Sequence, residues 1–177
     1  MTRLLVVALC VFVLVFVLVF VVSHAIMLRL IPNLMVNVAS TRLAEVGAEQ
    51  NAWYRAPQIT ADNAAVVRAS PDLSYAVCLL DLSEGPMKLS VPMWDNNGSL
   101  SVFDGDTTNV FVERLDAAQQ VNLVVFSRGQ TFDLPQGFKA VELMTPRGVA
   151  LIRHLAPTTE LHNRATTVIE ESQCAPL

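Results

Sequence analysis

The chain has 177 residues, of which 12 are basic and 16 acidic, so its formal net charge is −4. Arg3 and Arg29 are the charged residues of the first 30, and without them 10 basic residues stand against 16 acidic ones, a charge of −6. An acidic body disfavours nucleic acid and anionic lipid headgroups as partners. The roughly 150 residues after this stretch suffice for one domain with its own core.

The first predicted element is a transmembrane helix. Every residue from Leu4 to Val22 is apolar, and these 19 residues form a helix about 28 Å long, close to the roughly 30 Å hydrocarbon core of a bilayer. The Val alternation over residues 11–21 resembles a strand, but a single strand leaves its backbone unpaired in lipid. A signal peptide cleaved near Ser23-His24-Ala25 is the alternative, although such apolar regions run only about 7–15 residues. We therefore predict an uncleaved anchor over residues 1–30.

The orientation of this anchor is predicted from its short amino-terminal tail, because basic residues flank both of its ends. We expect a single pass through the inner (plasma) membrane with the amino terminus inside. The body would then lie in the periplasm or at the cell exterior. Phe12, Phe16 and Phe20 recur on one helix face, either as lipid-facing bulk or as a surface for another transmembrane helix.

Residues 31–60 are predicted to form a juxtamembrane helix and a connector. Pro32 is expected to end or kink the anchor helix, because proline lacks the backbone N–H that a helix interior uses. Apolar residues then recur at helical spacing before Gly47: Met35, Ala39, Leu43 and Val46.

Residues 61–157 are predicted to form a mainly β domain, because short apolar runs alternate there with Pro, Gly and Asn. Strands are expected at Ala65–Arg68, Ser74–Leu82, Met87–Val91, Ser99–Phe103, Asn109–Arg114, Val121–Phe126, Ala140–Leu143 and Val149–His154. Asn97-Gly98 is predicted to form a hairpin turn, since type I′ turns need positive φ at both central residues. This spacing of strands is typical of a β-sandwich or jelly roll.

Residues 158–177 are predicted to form an amphipathic helix and a tail. Thr158 or Thr159 can cap the helix, and Glu160 suits its first turn. The predicted apolar stripe consists of Leu161, Ala165, Val168 and Ile169.

Three cysteines bear on the compartment. Cys10 lies in the predicted span as a small apolar residue. Cys78 and Cys174 lie outside it, and in an oxidising compartment such a pair predicts a disulfide that closes a loop of about a hundred residues. Two unbonded buried thiols remain the alternative, because spacing alone does not prove pairing.

A polar cluster is the candidate site for acid–base chemistry or binding. Its members are Asp72, Tyr75, Asp104, Asp106 and Asn109. Nothing in their spacing requires that they converge. Asp95-x-Asn97-x-Ser99 departs from a calcium loop at its glycine and final acidic positions, so no metal site is predicted. A pairing of His154 as base with Cys78 as nucleophile is disfavoured, since a strand histidine is usually a surface or satisfied residue, and no cofactor motif occurs.

Several segments together are similar to one known family. They are Asn51-x-Trp53, Val66-Val67-Arg68-x-Ser70-Pro71-Asp72-Leu73-Ser74-Tyr75, Asp81-Leu82-Ser83-Glu84-Gly85-Pro86, Val91-Pro92 and Ser101-x-Phe103-Asp104-x-Asp106-Thr107-x-Asn109-x-Phe111. Over about residues 50–112 this pattern resembles the domain of unknown function 1254 family, in particular its small membrane-anchored members. Those members carry a cysteine just before the Asp-Leu-Ser block and another near the end, at the positions of Cys78 and Cys174. This chain departs at Ser70, where Asn is usual, and at Leu73-Ser74, where Thr-Leu is usual.

The resemblance implies a β-sandwich, jelly-roll-like domain that is often fused to or encoded beside a domain of unknown function 1214 protein. It implies no agreed activity. We expect a non-enzymatic envelope protein whose β domain pairs with such a companion or with a larger membrane complex. A jelly roll that binds a lipid or sugar is one alternative, and a hydrolase-like enzyme that uses Asp72, Asp104 or Tyr75 is another.

Overall fold

The computed structural model describes residues 2–60, 69–115 and 119–177. Within these residues the chain forms two helices and nine strands. In chain order they are α1 (Thr2–Glu45), β1 (Trp53–Arg55), β2 (Leu73–Asp81), β3 (Met87–Val91), β4 (Gly98–Asp104), β5 (Asn109–Arg114), β6 (Val121–Ser127), β7 (Lys139–Leu143), β8 (Arg147–Leu155), α2 (Thr159–Glu170) and β9 (Gln173–Pro176). The fold is mainly β with a long apolar helix at its amino end.

Helix α1 is one element of 44 residues that continues through Pro32. The prediction that a separate second helix follows Pro32 is therefore wrong. Proline removes a single backbone hydrogen bond, and the good helix formers on both sides maintain the rest of the ladder. The helix ends close to the predicted glycine, where Gly47 has φ 98° and the N–H of Ala48 donates to the carbonyl of Leu43 at 2.9 Å.

The strands form two sheets. The five-stranded sheet has the order β1-β2-β8-β4-β5, and the four-stranded sheet has the order β7-β6-β3-β9. Neighbours are antiparallel except for β6 and β7, which are parallel. Edge strands β5 and β7 are linked by an ion pair between Lys139 and Glu113 at 2.6 Å.

Both sheets contribute to one buried cluster. Its fully buried members include Leu80 and Ile152 from the five-stranded sheet and Leu89 and Leu123 from the four-stranded sheet. The disulfide between Cys78 of β2 and Cys174 of β9 joins the two sheets directly and confirms the predicted pair. The two sheets are thus fastened by apolar packing and by one covalent bond.

Helix α2 confirms the predicted carboxy-terminal helix and its cap. The Oγ1 of Thr158 accepts a hydrogen bond from the N–H of Leu161 at 3.3 Å, which satisfies one of the free amides of the first turn. Ala165 and Ile169 are buried in the core cluster. The helix contacts β1 and β2 and leads into β9, so it connects one sheet to the other.

The predicted hairpin at Asn97-Gly98 is wrong. It would join β3 to β4, but β3 pairs with β6 and β9 while β4 pairs with β5 and β8. The loop instead crosses between the sheets, and its carbonyls at Asn97 and Gly98 accept from the N–H groups of Leu155 and Leu115. Local turn chemistry cannot show which sheet the next strand joins.

Seven of the predicted strands occur with bounds shifted by two residues at most. The eighth, Ala65–Arg68, lies outside the described residues. The short strands β1 and β9 were not predicted, and each lies at one edge of its sheet.

Candidate functional site

The polar residues that were predicted as one cluster lie at opposite ends of the five-stranded sheet. Asp72 precedes Leu73, which pairs with Leu155 of β8, whereas Asp104 pairs with Gly148 at the other end of β8. The seven intervening steps along an extended strand correspond to roughly 24 Å. Catalytic groups must reach one reacting atom, so this arrangement does not make a shared site.

Asp104 is buried, and its carboxylate connects two loops. Its carboxylate accepts hydrogen bonds from the main-chain N–H groups of Gly105 (2.7 Å), Met144 (2.7 Å) and Thr145 (3.1 Å), and from the hydroxyl of Thr145. These bonds tie the end of β4 to the loop before β8. A carboxylate with this many donors has a structural role that requires no substrate.

Asp106 and Asn109 belong to the turn that follows. The Oδ1 of Asp106 accepts from the N–H of Thr108 at 3.0 Å, and the hydrogen bonds from Thr108 lower the pKa of the Asp106 carboxyl. Thr107 has φ 71°, a left-handed conformation that this short turn stabilises. Asn109 is exposed and begins β5. The turn is joined to Asp104 through main-chain hydrogen bonds, because the Asp104 carbonyl accepts from the N–H of Thr107 at 3.0 Å and the Asp104 N–H donates to the carbonyl of Thr108 at 2.9 Å.

Tyr75 and Asp72 take part in the loop that enters β2. The hydroxyl oxygen of Tyr75 accepts from the N–H of Ser70 at 3.0 Å, and the carbonyl of Asp72 accepts from the N–H of Ala156 at 2.8 Å. The Asp72 side chain is exposed. These bonds fix the loop against the end of β8, and they give a structural role to the Tyr75 hydroxyl and to the main chain of Asp72.

The apolar residues that were predicted to cross a membrane are all exposed on α1, and none of the helix residues is buried. They include Leu4, Phe12, Phe16, Phe20 and Val22. This helix is long and apolar enough to cross a bilayer. Only its first 30 residues had been assigned to the anchor.

A pair of buried aromatic rings was missed by the sequence reasoning. His154 is completely buried and stacks on Trp94, with ring centroids 4.7 Å apart and an angle of 19° between the planes. Neither ring nitrogen of His154 nor the Nε1 of Trp94 has a hydrogen-bonding partner among the described residues. Burial lowers the pKa of His154 to about 4, because the surrounding apolar groups disfavour the charged ring.

One signal in the sequence would have placed His154 inside. Gly148, Ala150, Ile152 and His154 occupy alternate positions of β8, and all four are buried.

The ring of Trp94 is also contacted by the guanidinium of Arg164, which lies 5.4 Å from the ring centroid and is paired with Asp95 at 2.7 Å. The proposed nucleophile Cys78 is in the disulfide and is not free to react.

A groove of about 490 Å³ lies where the first and last strands approach each other. Its lining comes from β1, β9 and the end of α2, and it includes Trp53, Glu170 and Cys174. The indole Nε1–H of Trp53 is buried and has no acceptor among the described residues. The groove lies at the edges of the two sheets, and both sheets contribute side chains to the buried core cluster.

Comparison with known proteins assigns the part of the chain after α1, which we call the β module, to a family. The sequence profile of the family described as Protein of unknown function (DUF1254) matches residues 50–176. The chain belongs to this family. The match confirms the resemblance drawn from the Asp-Leu-Ser-Glu-Gly-Pro block and its neighbours, and it extends the family region to β9. No curated protein matches the chain.

Two solved structures are similar to this DUF1254 chain. The VPA0106 protein from Vibrio parahaemolyticus has a TM-score of 0.64 at 14% sequence identity, covering 82% of this chain and 35% of that one. An uncharacterized protein from Burkholderia cenocepacia has a TM-score of 0.46 at 13% identity, covering 63% of this chain and 33% of that one. The first likeness supports the fold alone. This chain spans about a third of the length of each of these proteins.

The residues that carry the DUF1254 resemblance hold β2 in place. Asn51 donates from Nδ2 to the carbonyl of Asp81 at 3.2 Å and accepts from the N–H of Asp81 at 2.9 Å. The Asp81 carboxylate accepts from the hydroxyl and N–H of Ser83, which lower its pKa, and it lies 3.9 Å from Arg147. Gln130 donates to the carbonyl of Leu82 at 2.6 Å. This network gives the family segments around Asn51 and Asp81 a structural role, because they fix the loop where the chain leaves β2 for the other sheet.

Proposed function

We propose that this protein is a non-enzymatic, single-span membrane protein that holds a β-sandwich outside the cytoplasm, where the sandwich pairs with a partner protein. The observation that carries the proposal is that α1 has no buried residue, although most of it is apolar. A helix that is apolar all round requires an apolar surrounding, and a bilayer supplies one. The amino terminus lies inside in this proposal, and the β module lies in the periplasm or at the cell exterior.

The disulfide supports the outside location of the module. Cys78 and Cys174 are bonded, and structural disulfides persist in oxidising compartments whereas cytosolic thiols are kept reduced. The shared core cluster and this bond support the sandwich, in which two sheets stack face to face. Two of the three side chains considered for a reaction, those of Asp104 and Tyr75, are used in a joint or a loop, which supports a non-enzymatic role.

In this proposal the partner binds at the groove between β1 and β9. Both strands are sheet edges, and edge strands leave backbone donors and acceptors free to pair with an extended chain. Trp53 lines the groove, so an occupant can pack an apolar side chain against its indole ring. We therefore expect an extended segment of another envelope protein, of which the companion domain of unknown function 1214 is the leading example.

The anchoring and the location are tested together on the full-length chain in a Cys10→Ser background. We expect the protein to stay with membranes after alkaline carbonate extraction and to be digested when protease is added outside spheroplasts. Its remaining cysteines should resist alkylation until a reductant is added. Release by carbonate, or thiols that react without reduction, would contradict the proposal.

The partner contact is tested by cross-linking in membranes followed by detergent purification. Trp53→Ala removes the ring that lines the groove, and Tyr54→Ala at the neighbouring position, outside the lining, is the matched control. We expect Trp53→Ala to lower recovery of the cross-linked partner severalfold, while Tyr54→Ala leaves it unchanged. Equal recovery from both variants would exclude the groove as the contact.

A further inference from the structure

Helix α1 carries more apolar surface than a bilayer core covers. The run from Leu4 to Val38 contains one formally charged residue, Arg29, and its 35 residues extend about 52 Å as a helix. A hydrocarbon core of roughly 30 Å takes up about 21 residues at the average tilt of about 20°, and about 26 at the extreme tilt of about 40°. At least about nine apolar-run residues therefore lie beyond the hydrocarbon.

At the average tilt the core ends near residue 24, and the part of the helix beyond it has one uncovered face. Four large apolar side chains on this face, which we call the α1 stripe, are between 40% and 60% exposed: Met27, Ile31, Leu34 and Val38. Pro32, Val36, Ser40 and Leu43, which follow the opposite side of the helix, are half-buried. The described module thus leaves the stripe open, and water is a poor surrounding for it.

The spacing of the α1 stripe is that of a two-stranded coiled coil. The stripe residues are separated by four, three and four positions, which places Ile31 and Val38 at heptad position a and Met27 and Leu34 at position d. A β-branched residue at a with Leu at d favours parallel dimers. Pro32 lies at position b, outside such a seam.

We propose that the α1 stripe pairs with the same stripe of a second copy of this chain, as a short parallel helix pair at the membrane surface. This inference rests on the anchoring proposed above. Two copies anchored by the same span present identical stripes at the same height and in the same direction. A foreign helix would need a matching pattern at that height, whereas a second copy has it by construction.

The residues beside the stripe suit a parallel pair. In this register Leu30 of one copy faces Met35 of the other, which adds apolar contact at the seam. Asn37 of one copy faces Arg42 of the other, so a side-chain amide oxygen meets a guanidinium donor. Two heptads alone give a weak pair in water, but anchoring in one membrane raises the effective concentration of the partner helix.

The experiment uses the full chain in native membranes, in a Cys10→Ser background, with two differently tagged copies expressed together. Leu34→Cys places a thiol in the stripe, and Asn33→Cys, about 100° around the helix, is the matched control. After brief oxidation we expect Leu34→Cys to give severalfold more cross-linked product than Asn33→Cys. The product should carry both tags and have twice the 19.4 kDa mass of the chain. Val38→Cys should repeat the result.

Carbonate extraction of the same membranes separates the two proposals. Retained protein with equal cross-linking of Leu34→Cys and Asn33→Cys would overturn the self-pairing and leave the anchoring intact. Protein released by carbonate would overturn the anchoring and the pairing that rests on it. A cross-linked product with one tag and another mass would show that the α1 stripe binds a different protein rather than a second copy of this chain.

Discussion

Helix α1 and the β module differ in where their apolar side chains lie. The module buries its own, in a cluster that draws on both sheets and on α2. The helix buries none, although it contains most of the large exposed apolar residues of the described chain. The module therefore carries its own driving force for folding, whereas α1 depends on a surrounding that the chain does not supply.

Because of this difference, the unfolding of the β module can be measured separately from the state of α1. Both tryptophans of the chain, Trp53 and Trp94, lie in the module. Their fluorescence in the detergent-solubilised full-length protein should follow unfolding of the module alone. A substitution that changes this signal therefore lies in the β module, and one that leaves it unchanged lies in α1.

The largest effect is expected from removing the bond that joins the sheets. Cys78→Ala combined with Cys174→Ala should lower the free energy of unfolding by about 4 kcal/mol, because the bond closes a loop across a sequence separation of 96 residues. Urea unfolding measures the loss. The control Cys10→Ala, in α1, should leave the midpoint unchanged, and an equal effect of both changes would contradict the division.

Removal of the buried carboxylate should come next. Asp104→Ala leaves the main-chain N–H groups of Gly105, Met144 and Thr145 without their acceptor, at a cost of about 3 kcal/mol. Asp106→Ala removes an exposed turn carboxylate and should cost less than about 1 kcal/mol. Equal midpoints for the two variants in urea would show that Asp104 does not hold the loops together.

Acidification should destabilise the module through His154. Its pKa is about 4 in the folded chain, against about 6.5 when exposed, so between these values the unfolded chain binds more protons. Stability is therefore complete above about pH 6.5 and falls as the pH drops towards 4, by about 2 kcal/mol between pH 7 and pH 5.

The control for this pH dependence is His154→Phe, which keeps a ring against Trp94 and removes the titrating group. Its urea midpoint should change little over the same interval. The lowered pKa values of Asp81 and Asp106 act below the ordinary carboxyl range, outside this window. A slope that persists in His154→Phe would assign the effect to other groups.

The smallest effect on the module is expected from α1. Phe16→Ala removes a large side chain that is 63% exposed, so the tryptophan-monitored midpoint should move by less than about 0.5 kcal/mol. A large shift would show that α1 packs on the module and would break the comparison.

Most elements of the module could be predicted from the sequence because their signals are local. Strands such as Met87–Val91 and Asn109–Arg114 have the predicted bounds, and Thr158 caps α2 as expected. The strands β1 and β9 were missed because three or four residues carry too little pattern.

The candidate site could not be predicted, because it depends on which strands become neighbours. The Asp104 joint, the stacking of His154 on Trp94 and the Trp53 groove each bring together segments that are distant in the chain. The prediction of a hairpin at Asn97-Gly98 was wrong for the same reason, since turn residues do not show which sheet the next strand joins.

The apolar character of α1, the alternating strands and the capped helix α2 can be predicted from the sequence, because each follows from spacing along a few neighbouring residues. The assignment of strands to two sheets, the separation of Asp72 from Asp104 and the burial of His154 became known from the fold. Those outcomes depend on long-range pairing, in which the burial of the whole apolar surface is optimised at once rather than segment by segment.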